Sequence, residues 1–178
     1  MILNCDDYSK ALYELASEEN LTDNVLSDLT EMDLILSENQ EFIGLLDSPA
    51  ISCDERISMI DDAFKGASCI TLNFVKLLTE MRCMSAFSKC VSGFQKIYDD
   101  ENGILRAEII TAVEISKEQC DAICKKVSAE TGKKVIPTNK VDPSILGGVI
   151  LRYSGRQLDG SIASRLDGIK KDLADIVL

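Results

Sequence analysis

The sequence has neither histidine nor tryptophan, and it has only three prolines among its 178 residues. The absence of histidine excludes a Ser–His–Asp triad, a Cys–His dyad and any metal site or acid–base step that needs an imidazole. Apolar runs of about 20 residues, the length that crosses a bilayer as a helix, are also missing. We therefore expect no direct membrane insertion.

Basic side chains are scarce: 19 Lys and Arg face 30 Asp and Glu, which gives a net charge of −11. Because contacts to phosphates need Lys and Arg, a chain this acidic is a poor general binder of nucleic acid. The first residues contain no basic or Arg-rich stretch. We therefore expect neither a secretory signal nor a transit peptide.

The seven cysteines are odd in number and irregular in spacing, which favours reduced thiols over a disulfide framework. Cys120 and Cys124 are separated by one helical turn. Two interpretations fit this spacing. The two cysteines form half of a metal site or a redox pair, or they are two small apolar residues on one helix face. The second interpretation is favoured, because the sequence has neither a CxxC motif nor histidine partners.

Charge and residue pattern both change near the turn dipeptide Asn102-Gly103. Residues 1–103 carry seven basic and 20 acidic side chains, whereas residues 104–178 carry 12 basic and 10 acidic ones. Helical periodicity dominates before this point, and β-branched runs with most of the Gly and Pro follow it. The sequence therefore predicts two domains, 1–103 and 104–178.

The first domain has the pattern of about six short helices joined by short loops, which predicts an antiparallel six-helix bundle. Ser52 and Glu55 form a capping box at the start of one of these helices. The clearest apolar stripe repeats at steps of four and three residues; its members are Leu21, Val25, Leu29, Met32 and Leu36. The first helix and the helix over 69–82 have unusually wide apolar faces. These faces are either core or the two walls of a groove that accepts a partner's amphipathic helix.

The second domain is predicted as a small α/β domain with a mostly β sheet flanked by two helices, so the whole chain belongs to the α+β class. Residues 104–115 alternate as a half-buried strand, and a helix follows as far as Gly132. Pro137 interrupts the next strand and is expected at a sheet edge or a bulge. After two further strands, the last helix carries a heptad stripe; its members are Ile162, Leu166, Ile169, Leu173 and Ile176.

Catalytic and cofactor motifs are absent from the sequence. The segment 131–134 resembles part of a phosphate-binding loop, but Val127 and Lys134 stand where that loop needs Gly and Ser or Thr. Gly147-Gly148 lacks the third glycine and the acidic residue of a dinucleotide site. We therefore expect no catalytic residue, no metal site and no cofactor.

A family resemblance begins in the segment 141–152 and continues through 158–166. These residues resemble the C-terminal signature of the delta subunit of F-type ATP synthase, whose mitochondrial counterpart is the oligomycin-sensitivity-conferring protein. Residues 8–16 and 42–64 resemble the opening helix and the third and fourth helices of the same family. The signature positions are Asp142, Gly147, Gly148, Arg152, Asp159, Gly160, Ser161 and Arg165.

The resemblance implies a stator subunit without catalysis, which couples ion flow to ATP synthesis. Residues 1–103 would bind the N-terminal helix of an alpha subunit in the catalytic head, and residues 104–178 would bind the b subunit of the peripheral stalk. It further implies a monomer in isolation, one copy in each complex, and a peripheral membrane position on the cytoplasmic face of a bacterial cell membrane.

Under this resemblance, the groove between the first helix and the 69–82 helix is the predicted site for the alpha segment. The predicted contact residues are Tyr8, Ala11, Leu12, Leu15, Phe74, Leu77, Leu78 and Met81. The acidic first domain should attract a segment with basic flanks. Two alternatives stay open: a small RNA-binding protein that uses the α/β half, and a thiol-redox enzyme that uses Cys120 and Cys124.

Overall fold

The computed structural model describes residues 4–153, 155–162 and 164. This part of the chain is a mixed α+β fold, as predicted, with seven α-helices and one four-stranded sheet. The helices are α1 (Cys5–Glu18), α2 (Thr22–Glu38), α3 (Gln40–Asp47), α4 (Cys53–Ala63), α5 (Cys69–Glu80), α6 (Phe87–Glu101) and α7 (Lys117–Thr131). The strands are β1 (Ile104–Thr111), β2 (Lys134–Val141), β3 (Val149–Tyr153) and β4 (Arg156–Asp159). Short 3-10 helices cover Met84–Ala86 and Pro143–Ile145.

The chain divides into two compact units, Met1–Tyr98 and Asp99–Leu178. The division falls within α6, slightly before the boundary that the sequence predicts. Most of the predicted last helix, with the stripe from Leu166 to Ile176, lies outside the described residues, and so does Arg165.

The first unit has one core, to which each of α1 to α6 contributes. The periodic stripe of α2 is confirmed, since Val25, Leu29, Met32 and Leu36 are all buried. Other fully buried large side chains come from the remaining helices and the 3-10 turn; they include Leu46, Ile60, Leu78, Met84, Phe87 and Phe94. Burial of such side chains is worth about 1.5–3 kcal/mol each, so this core holds the helices in place.

Side-chain hydrogen bonds hold the starts of two helical segments, one from within the same helix and one from another helix. The predicted capping box is confirmed: the hydroxyl of Ser52 accepts the backbone N–H of Glu55 at 3.3 Å, and the Glu55 carboxylate accepts the N–H of Ser52 at 3.2 Å. The start of the segment before α6 is held by another helix, because the Asp47 carboxylate accepts the N–H groups of Met84 and Ser85. A carboxylate at this position satisfies donors that the helix itself leaves unpaired.

The sheet of the second unit has the strand order β2-β1-β3-β4. β1 pairs with β2 in parallel, through the crossover helix α7, and with β3 in antiparallel. Pro137 lies in β2, at the edge of the sheet, so the prediction of an edge position is confirmed. The free edge of β2 tolerates proline because that residue has no N–H to donate. On the sheet itself, one face of β1, with Leu105 and Ala107, packs against Cys120 of α7.

Candidate functional site: a groove between two helices

An apolar groove of about 460 Å³ lies between α1 and α5 in the first unit. Its walls combine buried and exposed side chains: Leu12 and Phe74 are buried at the bottom, whereas Leu15 and Leu77 are 55% and 41% exposed. The complete lining is Tyr8, Ala11, Leu12, Leu15, Glu18, Glu19, Ile70, Asn73, Phe74 and Leu77. Exposed leucines beside a concave apolar floor are typical of a surface that receives an amphipathic helix.

The two helices run in opposite directions along the groove. Tyr8, in the first turn of α1, donates its hydroxyl to the sulfur of Met81 at 3.6 Å, directly after the end of α5. At the other end, Glu18 and Glu19 close α1 while Ile70 begins α5. The groove therefore extends over about three turns of helix, or ~16 Å at 1.5 Å for each residue.

A buried hydroxyl fixes α1 against α6. Ser9 is fully buried, and its Oγ lies 2.8 Å from the carbonyl oxygen of Cys5 and 2.8 Å from that of Cys90 on α6. Gly93 lets the helices approach this closely, since a Cβ there would lie 2.5 Å from the Ser9 Oγ. The groove wall formed by α1 is thereby anchored to the core of the unit.

A buried arginine fixes the end of α5. Arg56 is 2% exposed, and its Nη1 donates to the carbonyl oxygens of Thr79 at 2.6 Å and Leu46 at 2.8 Å. These carbonyls belong to the last turns of α5 and α3, where a cation also interacts favourably with the helix dipoles. At the start of α5, the Ser68 side chain accepts the N–H of Thr71, which caps the helix. Both ends of the second groove wall are therefore held.

Six of the eight residues predicted for this site line the groove: Tyr8, Ala11, Leu12, Leu15, Phe74 and Leu77. Met81 lies at the end of the groove, in contact with Tyr8. Leu78 is completely buried and belongs to the core, so its side chain is not available to a partner. The wide apolar stripe could not separate these roles, because it shows which residues are apolar but not which neighbour covers them.

Four further lining residues escaped the sequence prediction. They are Glu18, Glu19, Ile70 and Asn73. Each continues one of the two predicted faces by three or four positions, so helical periodicity alone could have found them. Three of them are polar and therefore do not belong to an apolar stripe, whereas Ile70 is apolar and lies one helical turn before Phe74.

The signature residues of the second unit form turns. The Asp142 carboxylate accepts the hydroxyl of Ser144 at 2.6 Å and its N–H at 2.9 Å. Both bonds lower the pKa of Asp142. Hydrogen bonds from Ser161, side chain first and then backbone, likewise lower the pKa of Asp159. Ser161 in turn accepts the N–H of Ser164 at 3.2 Å. These hydrogen bonds tie each carboxylate to the backbone of its own turn.

The glycines of the signature allow a close approach of two backbone segments. Gly148 has φ +85°, and a Cβ there would lie 2.4 Å from the carbonyl oxygen of Gly160. Around it, Gly160 donates its N–H to Val149 at 3.0 Å, and Ile162 donates to Gly147 at 3.0 Å. No larger side chain fits at position 148 without displacing backbone, so this position requires glycine.

Arg152, another signature position, lies on β3 and makes contacts across the sheet. Its Nε donates to the side-chain oxygen of Gln157 on β4 at 2.8 Å, and its Nη1 lies 3.5 Å from the Glu108 carboxylate on β1. Half-exposed pairs of this kind contribute little to stability but help to define strand register. Its contacts therefore indicate a structural role.

Two thiols in the described part of the chain have raised pKa values, and no cluster of metal ligands occurs there. Within this part of the chain, no group of three or more potential ligands could hold a metal ion. Burial, and then the Cys5 thiol beside it, raises the pKa of Cys90 to about 12. Burial and the neighbouring Cys120 raise the pKa of Cys124. A protonated thiol is a poor nucleophile, which weakens the thiol-redox alternative. None of the described helices is long and apolar enough to cross a membrane.

Comparison with known proteins matches the chain to ATP synthase delta subunits, both by family model and by individual relatives. The family model for the ATP synthase delta (OSCP) subunit matches residues 6–173. ATP synthase subunit delta of Lactobacillus johnsonii is 32% identical over 169 residues, which cover 94% of this chain and 93% of that protein. Its counterpart in Chlorobaculum parvum is 32% identical over 167 residues, with 93% and 92% covered.

A solved structure shares the fold. A chain in the cryo-EM structure of the Toxoplasma gondii mitochondrial ATP synthase hexamer superposes with a TM-score of 0.76 at 20% identity, and the match covers 97% of this chain and 98% of that one. At this identity the likeness concerns the fold alone.

Proposed function

The chain belongs to the ATP synthase delta (OSCP) subunit family, a family of non-catalytic stator subunits of F-type ATP synthase, and we propose that its α1/α5 groove binds the N-terminal helix of an alpha subunit. The groove is the observation that carries this proposal. It is open, mostly apolar and about three helical turns long, which suits an amphipathic helix of similar length. The relatives are ATP synthase delta subunits, so the RNA-binding alternative has no support.

The proposal assigns the two halves of the chain to two partners. Residues 1–103 form the antiparallel six-helix bundle that caps the catalytic head, and residues 104–178 hold the b subunit of the peripheral stalk. One copy, monomeric on its own, serves each complex. Its place is the cytoplasmic face of the bacterial membrane, where it is attached only through other subunits.

A stator subunit has to bind the alpha segment tightly. A stator must stay attached while the rotor delivers torque, so the alpha segment needs a dissociation constant below about 1 μM, which corresponds to more than about 8 kcal/mol. Burial of apolar side chains from a preformed groove supplies this without ordering a loop. The core behind α1 and the contacts of Arg56 support a preformed groove.

Calorimetric titration of the full chain with a synthetic peptide tests the proposal. The peptide has the first ~20 residues of the alpha subunit from the same organism, about 30 Å as a helix. We expect saturable one-to-one binding at submicromolar affinity, and no binding of a scrambled peptide of the same composition. If the alpha peptide fails to bind to a chain whose circular dichroism shows folded helices, the proposed function is wrong.

A further inference from the structure

Two thiols from different helices are in contact within the first unit. Cys5 begins α1 and Cys90 lies in α6, and their thiols form a side-chain hydrogen bond. Cys90 is 1% exposed, whereas Cys5 is partly exposed and packs against the same core. A disulfide needs two sulfur atoms that can meet without a large movement of the backbone, and this pair meets that requirement.

The backbone beside the two thiols is held in place. The Ser9 Oγ lies 2.8 Å from the carbonyl oxygen of Cys5 and 2.8 Å from that of Cys90. Gly93 is three residues after Cys90, and a Cβ there would lie 2.5 Å from the same Oγ, so α1 and α6 are in close contact at this point. A bond between the two sulfur atoms would therefore join helices whose separation is already fixed.

An open hollow of about 510 Å³ gives access to Cys5 from solvent. Its lining includes Lys89 and Lys96 of α6 together with the carboxylate of Asp6. Among the residues that the structure describes, neither lysine takes part in an ion pair. The excess of positive charge favours an anionic reagent in the hollow. Because Cys90 does not line the hollow, such a reagent reaches Cys5 first.

Cys83 is the third thiol of this region. Its Sγ donates to the carbonyl oxygen of Met81 at 3.3 Å, and it is partly exposed. Its charge acts on Cys90 less strongly than that of Cys5, which also hydrogen-bonds the Cys90 thiol. Cys5 is therefore the thiol that is better placed to pair with Cys90.

We propose that Cys5 and Cys90 form a redox-controlled disulfide that ties α1 to α6, with an anionic low-molecular-weight disulfide such as glutathione disulfide as the oxidant. The Cys5 thiolate attacks one sulfur of the oxidant, whose S–S bond breaks, and the first glutathione leaves as a thiolate that takes up a proton. Cys90 then loses its proton to solvent, its sulfur attacks the Cys5 Sγ, and the second glutathione leaves. Two protein thiols are thereby oxidised and one glutathione disulfide is reduced to two thiols.

The burial of Cys90 sets the order of the two steps. Burial raises the pKa of this thiol to about 12, and a protonated thiol is a poor nucleophile toward a dissolved oxidant. A mixed disulfide on Cys5 is different, because contact between the two side chains gives the reacting sulfur atoms a high effective concentration. Cys90 should therefore react second, and through Cys5.

Peptide mapping of the folded full chain identifies the bond. Trypsin cleaves after Lys and Arg, so the three thiols of this region fall in separate peptides, 1–10, 83–89 and 90–96. The chain is incubated with glutathione disulfide, the remaining thiols are alkylated, and the digest is analysed by mass spectrometry without reduction. We expect peptide 1–10 linked to peptide 90–96. A link from 1–10 to 83–89, glutathione on 1–10 without any link, or no reaction at all overturns the inference.

Variants test the order and the specificity. In Cys5→Ser, Cys90 should stay unmodified by glutathione disulfide, because no mixed disulfide forms beside it. The matched control is Cys83→Ser, which removes the neighbouring thiol and should form the same link as the original chain. Modification of Cys90 in Cys5→Ser, or loss of the link in the control, overturns the inference.

Thermal unfolding measures what the bond does. The linked chain should unfold at a midpoint at least about 5 °C higher than the reduced chain, because the bond closes a long loop in the unfolded state. Dithiothreitol should remove this difference, and Cys5→Ser should not show it. A midpoint that does not respond to oxidation or to dithiothreitol contradicts a tie between α1 and α6.

The bond forms without a partner protein, so its test is separate from that of the proposed function. A chain that fails to bind the alpha peptide but links 1–10 to 90–96 overturns the proposed function alone. A chain that binds the peptide but does not form the link overturns the disulfide alone.

Discussion

Shortening the two exposed leucines of the groove to alanine should weaken binding of the alpha peptide without unfolding the protein. Leu15 and Leu77 form opposite walls of the groove, on α1 and α5. They are 55% and 41% exposed in the free protein, so each still has apolar surface to bury against a partner. The double variant Leu15→Ala/Leu77→Ala removes most of that surface.

The exposed fractions set the size of the effect. Complete burial of a leucine side chain is worth about 1.5–3 kcal/mol, so about half of that remains to be gained at each position when a helix docks. Together the two truncations should cost about 1.5–2.5 kcal/mol of binding free energy, or roughly 13- to 70-fold in the dissociation constant. Leu12 and Leu78 are unsuitable for this test, because both are buried and truncation there costs about 2–5 kcal/mol of folding stability.

Calorimetry with the alpha peptide gives the dissociation constants, and urea unfolding gives the stability of each variant. The matched control is Leu34→Ala on α2, which is outside the groove and 62% exposed. We expect Leu34→Ala to bind the peptide as the original chain does. Because Leu15 and Leu77 are also about half covered in the free protein, the double variant should lose about 1.5–3 kcal/mol of unfolding free energy and still show a cooperative unfolding transition. The reasoning is refuted if the double variant binds with unchanged affinity, or if Leu34→Ala loses as much.

Two further predictions concern stability and pH. Gly93→Ala should destabilise the first unit by about 1–3 kcal/mol in urea unfolding, since the new Cβ would lie 2.5 Å from the Ser9 Oγ. The control is Gly44→Ala on α3, whose new Cβ meets nothing within 4 Å and which should be neutral or stabilising. Equal losses of stability in the two variants would contradict this prediction. The carboxyl of Asp159 should titrate below its usual pKa of 3.8 by NMR, because Ser161 hydrogen-bonds the charged form. Its contribution to stability is therefore present above the unfolded pKa and is lost as the pH falls through the lower folded value, and a midpoint at or above 3.8 would refute the assignment.

Much of the fold could be predicted because local patterns and tertiary packing agree. The four- and three-residue steps from Val25 to Leu36 form a buried stripe of α2. The Ser52 capping box begins α4, Gly132 ends α7 in the left-handed conformation, and Pro137 lies in an edge strand. Each of these follows from a constraint within a few residues, which a single sequence contains.

The parts that sequence reasoning missed depend on partners far apart in the chain. The start of the segment before α6 is held by Asp47, 37 residues earlier than Met84. Arg56 is charged and yet buried, because it reaches carbonyl oxygens on two other helices. Leu78 and Leu77 are adjacent and equally apolar, and only the packing of α5 decides that one is core and the other is groove.

The family-signature positions and the groove positions differ in how many kinds of side chain the structure accepts there. Gly148 and Asp159 occupy turns in which the backbone approach or the hydrogen bonding admits few other side chains, so a signature forms there. The groove requires only apolar volume at positions such as Leu15 and Leu77, and several side chains satisfy that requirement. The signature therefore identifies the scaffold, whereas the affinity that we expect for a bound helix would depend on less distinctive residues such as Leu15 and Leu77. Substitutions in the turns should accordingly lower stability, and substitutions in the groove should lower affinity while the fold persists.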